Sequence, residues 1–248
     1  MEVSLYQAAA AMNATAQWQE MIAENLTTAQ ISGGRKRDIS FADVQAGMDP
    51  NASSGTQSGY FIPTAQAVTN FQPGEIHVSS NPMDFALDGP GYFNIQLPNG
   101  QTAYTRGGEF QLNAKGQLVT DQGYQILGDA GPVQFNPNST DAVSISPTGE
   151  VSQGQERKGK LKLSEFKNPQ DLTMLGADEF RADTPNAQPI AAASTKVRQG
   201  FLEAANASPT TEMTGLVTAM RMFEANQKVM QMQSDRMSRT ISELGGTS

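Results

Sequence analysis

The chain has 248 residues, 25 acidic and 17 basic, and its formal net charge of −8 argues against binding a phosphate backbone as its main activity. It has no cysteine, which excludes disulfides, thiolate chemistry and cysteine-ligated metals, and its single histidine excludes a multi-histidine metal site. The N-terminus lacks the basic and apolar regions of a secretory signal, and no run of about 18 apolar residues predicts a membrane span.

The first segment, residues 4–31, contains neither proline nor glycine and predicts a helix. Mostly apolar or small residues recur there at alternating steps of three and four, which places them on one side of the helix: Leu5, Ala8, Met12, Thr15, Gln19, Ile22, Leu26 and Ala29. Gly33 and Gly34 predict the helix end, and we expect the cations at 35–37 to meet its negative dipole end. A nucleic-acid or membrane patch is the alternative for these cations, and the acidic chain disfavours it.

The middle of the chain predicts β structure. All thirteen prolines lie between Pro50 and Pro209, and residues 38–75 predict an irregular, extended segment. After it, residues 92–97 and 101–105 predict a hairpin around Pro98-Asn99-Gly100, and 109–113 and 117–120 predict a second one. Further strands are predicted at 125–127, 132–135, 142–145, 150–152 and 159–166, with a turn at 147–149. So many short strands indicate a compact all-β domain.

The last segment, residues 212–244, predicts a second helix, about 48 Å long at about 1.5 Å per residue. Steps of three and four define what we call the C-terminal seam: Met213, Leu216, Met220, Phe223, Gln227, Met230, Ser234, Met237, Ile241 and Leu244. Six of the twelve methionines lie in this helix, and methionine packs adaptably against several neighbours. Burial of the seam alone stabilises so long a helix too little, so the seam needs a partner, either within this chain or on another copy.

Three patterns with catalytic potential are weak. Residues 154–161 match a phosphate loop, but Leu161 replaces the magnesium-binding hydroxyl and the next residues alternate like a strand. The sequence has no nucleophile elbow that would place a serine beside His77 in a catalytic triad. The carboxylates of Asp84, Asp88 and Glu109 are scattered through turns and do not form an evident acid–base pair of the glycosidase kind. We therefore expect no enzyme, no cofactor and no catalytic or metal-binding residues.

Several motifs, in order over nearly the whole chain, resemble those of the bacterial flagellar basal-body rod and hook family. They lie at 22–26 (similar to A-x-N-L), 83–93 (L-D-x-A-I-x-G-x-G-F-F), 104–110 and 116–120 (Y-T-R-x-G-x-F and G-x-L-V-T), 199–206 (Q-G-x-L-E-x-S-N) and 212–224 (E-M…R-x-Y/F-E). The window 27–35 departs from the family by lacking its second asparagine, threonine and aromatic residue, and Ala205 and Ala207 replace a serine and a valine.

This resemblance implies a structural subunit of the flagellar rod, the drive shaft that crosses the periplasm. It implies export by the flagellar type III apparatus without a cleaved signal peptide, and assembly with itself and with other rod and hook subunits, without nucleic acid or membrane insertion. The expected fold class is α+β, with terminal regions 1–75 and 201–248 pairing as a coiled-coil-like inner layer around a central all-β domain at 76–200. Chain length and the motifs at 83–88 and 221–224 favour a proximal-rod type over a distal-rod or hook-type protein.

The expected assembly interface lies on the two terminal helices: Leu5, Met12, Ile22, Leu26, Met213, Leu216, Met220, Phe223, Met230, Met237, Ile241 and Leu244. Heterologous contacts that do not close would stack copies helically. Two functions of other classes stay open at this point. One is a monomeric binding or adaptor module with a coiled-coil stalk, which would stop at dimers or trimers. The other is an enzyme acting on a glycan or peptide, which would need a fixed carboxylate pair in a cleft.

Overall fold

The computed structural model describes residues 2–48, 59–137, 139 and 141–245, and their side chains except at 2–6, 43–48, 59–63 and 244–245. The predicted α+β class is confirmed. Helix α1 (Glu2–Thr28) and helix α2 (Pro209–Gly245) lie at the two ends of the chain, and short strands fill the middle. Proline begins α2 because the first turn of a helix needs no backbone N–H donor there. The chain divides into two compact units, described separately below.

Unit 1 consists of residues 1–26, 37–68 and 209–248 and contains α2 and all but the last two residues of α1. Its strands β1 (Arg37–Met48) and β2 (Gly59–Thr69) form a two-stranded sheet, so the prediction of an irregular segment is wrong for these residues. Pro63 lies within β2, where a proline is tolerated because both strands of such a sheet are edges. The predicted irregular residues 49–58 lie outside the part of the chain that the structure describes.

Helix α1 packs against both β1 and α2. Asn25 fixes the start of β1, since its side chain accepts from Arg37 N at 2.8 Å and donates to Arg37 O at 2.9 Å. The same side chain reaches Glu212 Oε2 at 3.3 Å, and a Cβ on Gly215 would lie 3.4 Å from Ile22 Cδ1. Because residue numbers rise along α1 while those of their partners fall along α2, the two helices run antiparallel.

Unit 2 consists of residues 27–36 and 69–208. Its strands are β3 (Ile76–Val78), β4 (Phe85–Asp88), β5 (Tyr92–Gln96), β6 (Thr102–Thr105), β7 (Phe110–Leu112), β8 (Leu118–Thr120), β9 (Gln125–Gly128), β10 (Gly131–Pro132), β11 (Val143–Ile145), β12 (Glu150–Gln153), β13 (Glu156–Lys160), β14 (Leu163–Phe166), β15 (Thr173–Met174), β16 (Glu179–Arg181), β17 (Pro189–Ala191), β18 (Lys196–Gln199) and β19 (Phe201–Glu203). A 3₁₀ turn at Pro169–Asp171 precedes β15.

The strands of unit 2 build one large sheet and several small ones. The large sheet has ten strands and runs β15-β16-β6-β5-β9-β8-β7, with β10, β14 and β17 attached at its sides. A three-stranded sheet β11-β12-β13 and the pairs β18-β4 and β19-β3 complete the unit. Both predicted hairpins are confirmed as β5-β6 and β7-β8, whose turns carry glycines at positive φ, Gly100 at 80° and Gly116 at 73°.

The predicted single strand at 159–166 is wrong, because it is divided between two sheets. Strand β13 ends at Lys160 and pairs with β12, whereas β14 begins at Leu163 and pairs with β5 and β17. The core of the unit is aromatic and aliphatic and includes Phe85, Phe93, Ile95, Phe110, Leu118, Ile126, Val151, Leu161 and Val197. A Cβ at Gly108 would lie 1.6 Å from Phe85 O, so the close approach of the two backbones requires glycine there.

Candidate functional site

Helix α2 presents two kinds of apolar surface in unit 1. A half-buried stripe follows steps of four and three: Leu216, Ala219, Phe223, Asn226, Met230, Gln233, Met237 and Thr240. The C-terminal seam predicted from the sequence shares four large residues with this stripe, namely Leu216, Phe223, Met230 and Met237. Its other members differ: Met213, Met220 and Ile241 are exposed by 59%, 53% and 65%. The seam is therefore only partly covered within unit 1.

Exposed apolar residues flank the half-buried stripe on both sides. At about 100° per residue, Met213, Val217 and Met220 fall on one side of the stripe, which we call the first flank. Met222, Val229 and Met232 fall on the opposite side, the second flank. Single exposed apolar residues are ordinary, but contiguous groups of them mark interaction surfaces. Helix α2 thus has two apolar surfaces that unit 1 leaves exposed.

The predicted interface residues of α1 lie mainly inward. Ile22 is 2% exposed and lies beside Gly215, while Met12 and Leu26 are half-buried. The covered side of α1 also carries the small residues Ala8, Ala14 and Thr15, which allow close packing. The side chains of Leu5 and Leu244 lie outside the described part of the structure.

Unit 2 contains a buried charge cluster that the sequence reasoning missed. Arg35 Nη2 donates to Glu203 Oε1 at 2.6 Å, and Arg106 Nε lies 3.5 Å from Glu203 Oε2. All three side chains are at most 4% exposed. The expectation that Arg35 meets the dipole at the end of α1 is wrong, because its guanidinium is buried against Glu203 instead. The sequence signal for this cluster was that Arg106 and Glu203 each lie within one of the family-like motifs, at 104–110 and 199–206.

The cluster connects distant segments of unit 2. Glu203 Oε1 also accepts from Gly74 N at 2.9 Å, and its backbone carbonyl accepts from Gly33 N at 2.7 Å. Arg106 donates to the carbonyls of Gly91 at 2.6 Å and Gly89 at 2.7 Å. Burial lowers the pKa of Arg106 and the neighbouring Glu203 carboxylate raises it, and an arginine stays charged under these influences. The segments after α1 and before α2 are therefore held together by charge-assisted hydrogen bonds.

Two neighbouring acids form a second electrostatic feature. Burial raises the pKa of Asp178, whose carboxylate accepts from Thr105 Oγ1 at 2.7 Å. Burial, together with the charges of Asp178 and Asp121, raises the pKa of Glu179 to about 7. Glu179 is therefore partly protonated at neutral pH.

The raised pKa of Glu179 predicts a pH-dependent stability. The folded state binds this proton more tightly than the unfolded state, so the contribution is full below pH 4.5 and is lost as pH rises through about 7. We expect unit 2 of the natural chain to lose on the order of 2 kcal/mol between about pH 5 and about pH 8. Glu179→Gln should remove most of this loss, as measured by urea unfolding at both pH values. An equal loss in Glu179→Gln and in the exposed control Glu156→Gln would contradict the assignment.

The residues considered for catalysis each have a local partner. His77 is exposed and lies 3.7 Å from Glu75, while Asp88 pairs with Arg198 at 2.8 Å. Asp84 accepts from Asn81 at 2.8 Å, and Glu109 accepts from Ser32 at 2.5 Å. Residues 156–160 of the phosphate-loop pattern form strand β13, so no helix N-terminus follows the loop. These contacts stabilise turns and strands.

Two further observations concern the residues that the structure describes. Among them, no three histidine or acidic side chains converge as metal ligands. None of the helices in that part of the chain is both long and apolar enough to cross a membrane.

Comparison with known proteins identifies the family. Residues 86–153 match the flagellar hook protein FlgE/F/G D1 domain, and residues 198–244 match the C-terminal region of flagellar basal body rod FlgEFG proteins. The chain is 31% identical over 250 residues to the flagellar basal-body rod protein FlgG of Borreliella burgdorferi, covering 92% of this chain and 93% of that protein. It is 29% identical to the rod protein FlgF of Mesorhizobium japonicum over 251 residues, covering both chains fully, and 29% identical to FlgF of Caulobacter vibrioides, covering 91% of each. The chain therefore belongs to the flagellar basal-body rod protein family.

Proposed function

We propose that this structural rod subunit polymerises through its terminal helices into the drive shaft of the flagellum. The observation that carries the proposal is the pair of exposed flanks on α2, which lie on either side of the stripe that unit 1 covers in part. A helix with apolar residues on several sides is stable in water only when neighbours cover it. Since a single C2 interface covers one patch, two flanks support heterologous contacts that continue from copy to copy.

The proposal extends to the finer features of the subunit. We propose that the helices of successive copies form a coiled-coil-like inner layer, with regions 1–75 and 201–248 inside and the central domain 76–200 outside. We propose that the subunit occupies the proximal rod, with the distal rod or hook as the alternative. Its partners would be other rod and hook subunits. It would be exported by the flagellar apparatus without a cleaved signal. Proteins named FlgF and FlgG both resemble the chain, which supports the rod in general. We also propose that the subunit has no catalytic role.

Cysteine cross-linking tests the proposal directly, because the chain has no cysteine of its own. One cysteine is placed on each flank, as Met220→Cys and Val229→Cys, alone and together. In purified basal bodies treated with a short bifunctional maleimide, either single variant can join only two copies. We expect the double variant to produce a ladder beyond the dimer, because each copy would meet different neighbours on its two flanks.

The controls define what contradicts this function. A double variant at exposed polar positions opposite the half-buried stripe and between the flanks, Arg221→Cys and Lys228→Cys, should cross-link less than the flank pair. A flank-pair product that stops at the dimer would favour the adaptor module with a coiled-coil stalk. Normal rods in cells that lack this protein would contradict a role as a rod subunit.

A further inference from the structure

Within the part of the chain whose side chains the structure describes, every exposed methionine lies on a flank of α2. Met213 and Met220 on the first flank, and Met222 and Met232 on the second, are between 49% and 59% exposed. The other methionines of that part are half-buried or buried: Met12, Met21, Met83, Met174, Met230 and Met237. The flanks therefore present thioether sulfurs to solvent.

Hydrogen peroxide oxidises a thioether by two electrons. The sulfur attacks one peroxide oxygen, the S–O bond forms as the O–O bond breaks, and the released hydroxide takes up the proton of the transferred oxygen to give water. The product, methionine sulfoxide, is polar where the thioether was apolar. Burying its oxygen without a hydrogen-bond donor is costly, and an apolar partner surface offers no donor. Oxidised flanks would therefore resist being covered.

The placement of the methionines confines the oxidation to the surface of α2. The chain has no cysteine, so none of its own thiols competes for peroxide. In unit 2, Met83 and Met174 are half-buried, and in α1, Met21 is buried. Because oxidation of a side chain follows its exposure, the flanks should oxidise first while both units stay folded.

We propose that Met213, Met220, Met222 and Met232 are oxidation sites, and that peroxide converts the free subunit into a folded form that cannot join a rod. Neighbouring copies that cover the flanks protect the same residues, so the sensitive period lies before assembly. The effect on rods rests on the proposed function, because oxidation blocks assembly only if the flanks are assembly surfaces.

Peptide mass spectrometry tests the sites on the purified full-length chain after limited treatment with hydrogen peroxide. We expect each of the four flank methionines to gain one oxygen atom about tenfold faster than the buried Met21. The circular dichroism and the Trp18 fluorescence should stay unchanged meanwhile. Equal rates at Met21 and at the flanks, or unfolding that keeps pace with flank oxidation, would overturn the sites.

Rod assembly tests the consequence in cells that carry the natural chain. The cells receive a pulse of hydrogen peroxide, the peroxide is removed, and rods then grow before assembled and unassembled subunits are separated. We expect flank sulfoxides to be about tenfold scarcer in the rods than in the unassembled pool, a factor that a modest loss of contact free energy produces. Sulfoxide at Met83 should be equally frequent in both. Flank sulfoxides at equal levels in rods and pool would overturn the block on assembly.

Leucine variants identify the responsible residues. Met213→Leu, Met220→Leu, Met222→Leu and Met232→Leu together should still give complete rods after the pulse, because leucine has a similar volume and no sulfur. The matched control, Met83→Leu with Met174→Leu, leaves the flanks oxidisable and should lose rods as the natural chain does.

Rods of the four-leucine chain that are as sensitive to peroxide as natural rods would overturn the assignment to these methionines. The comparison of rods with the unassembled pool uses the natural chain, so it decides the question even if the four-leucine chain fails to fold. The cysteine ladder from α2 is measured without peroxide, so a failure of the proposed function is recognised separately.

Discussion

Replacing Glu203 with alanine should destabilise unit 2 by about 3–5 kcal/mol, because two buried guanidinium groups lose the carboxylate that they share. Glu203 is 1% exposed and accepts from both Arg35 and Gly74 N, so its removal leaves buried donors unsatisfied. Urea unfolding followed by circular dichroism of the strands measures the loss. The single tryptophan, Trp18, lies in unit 1 against Phe41, so its fluorescence reports unit 1 in the same experiment.

Two control variants separate the buried charge from general effects. Glu156 is exposed and pairs with the half-buried Lys158, so Glu156→Ala should cost less than about 1 kcal/mol. Glu203→Gln keeps a hydrogen-bond acceptor but removes the charge. Its loss of unfolding free energy should therefore lie between those of Glu203→Ala and Glu156→Ala. If Glu203→Ala unfolds at the same urea concentration as Glu156→Ala, the cluster does not stabilise unit 2.

Placing a charge in the half-buried stripe should abolish rod formation. Met230 lies mid-stripe between Asn226 and Gln233, so Met230→Glu puts a carboxylate in the middle of the half-buried stripe. Burying it on assembly would cost several kcal/mol, and a loss of about 3 kcal/mol weakens an interface roughly a hundredfold. We expect a soluble, exported subunit that fails to join a rod, as seen by electron microscopy of basal bodies.

Thermal unfolding of the purified variant distinguishes an assembly role from a role in the folded monomer. Unit 2 should unfold in Met230→Glu as in the natural chain, because Met230 belongs to unit 1. Lys228→Gln changes the net charge by the same amount at an exposed position opposite the stripe, and it should assemble. Complete rods with Met230→Glu would show that the stripe is no assembly surface, and loss of the unit 1 transition, followed by Trp18 fluorescence, would show that the residue stabilises the monomer.

The features predicted correctly are those with local causes. The terminal helices follow from segments free of proline, and the two hairpins follow from turn residues whose glycines adopt positive φ. Strands β1 and β2 were missed because the turn-forming residues from Asp49 to Gly59 led the whole segment 38–75 to be predicted as irregular. Such local signals do not report the contact that fixes β1, namely Asn25 bound to both backbone groups of Arg37.

The candidate sites were harder to predict because they depend on distant partners. The sequence pattern favoured the large residues Met213 and Met220 for the seam, whereas the structure buries Ala219, which is small enough for close packing. Likewise the sequence predicts Arg35 as a surface cation beside Lys36 and Arg37, whereas its partner Glu203 lies 168 residues away in the chain. Periodicity identifies which side of a helix is apolar, but partners separated by most of the chain are fixed only by the fold.

The span between Arg35 and Glu203 has a consequence for when unit 2 can fold. Chains are synthesised from the N-terminus, so nearly the whole unit must leave the ribosome before residue 203 can meet the residues after α1. Contacts so far apart in sequence slow folding, because their loop entropy is lost before any stabilisation is gained. A nascent chain of this design cannot complete unit 2 until most of the chain has been synthesised.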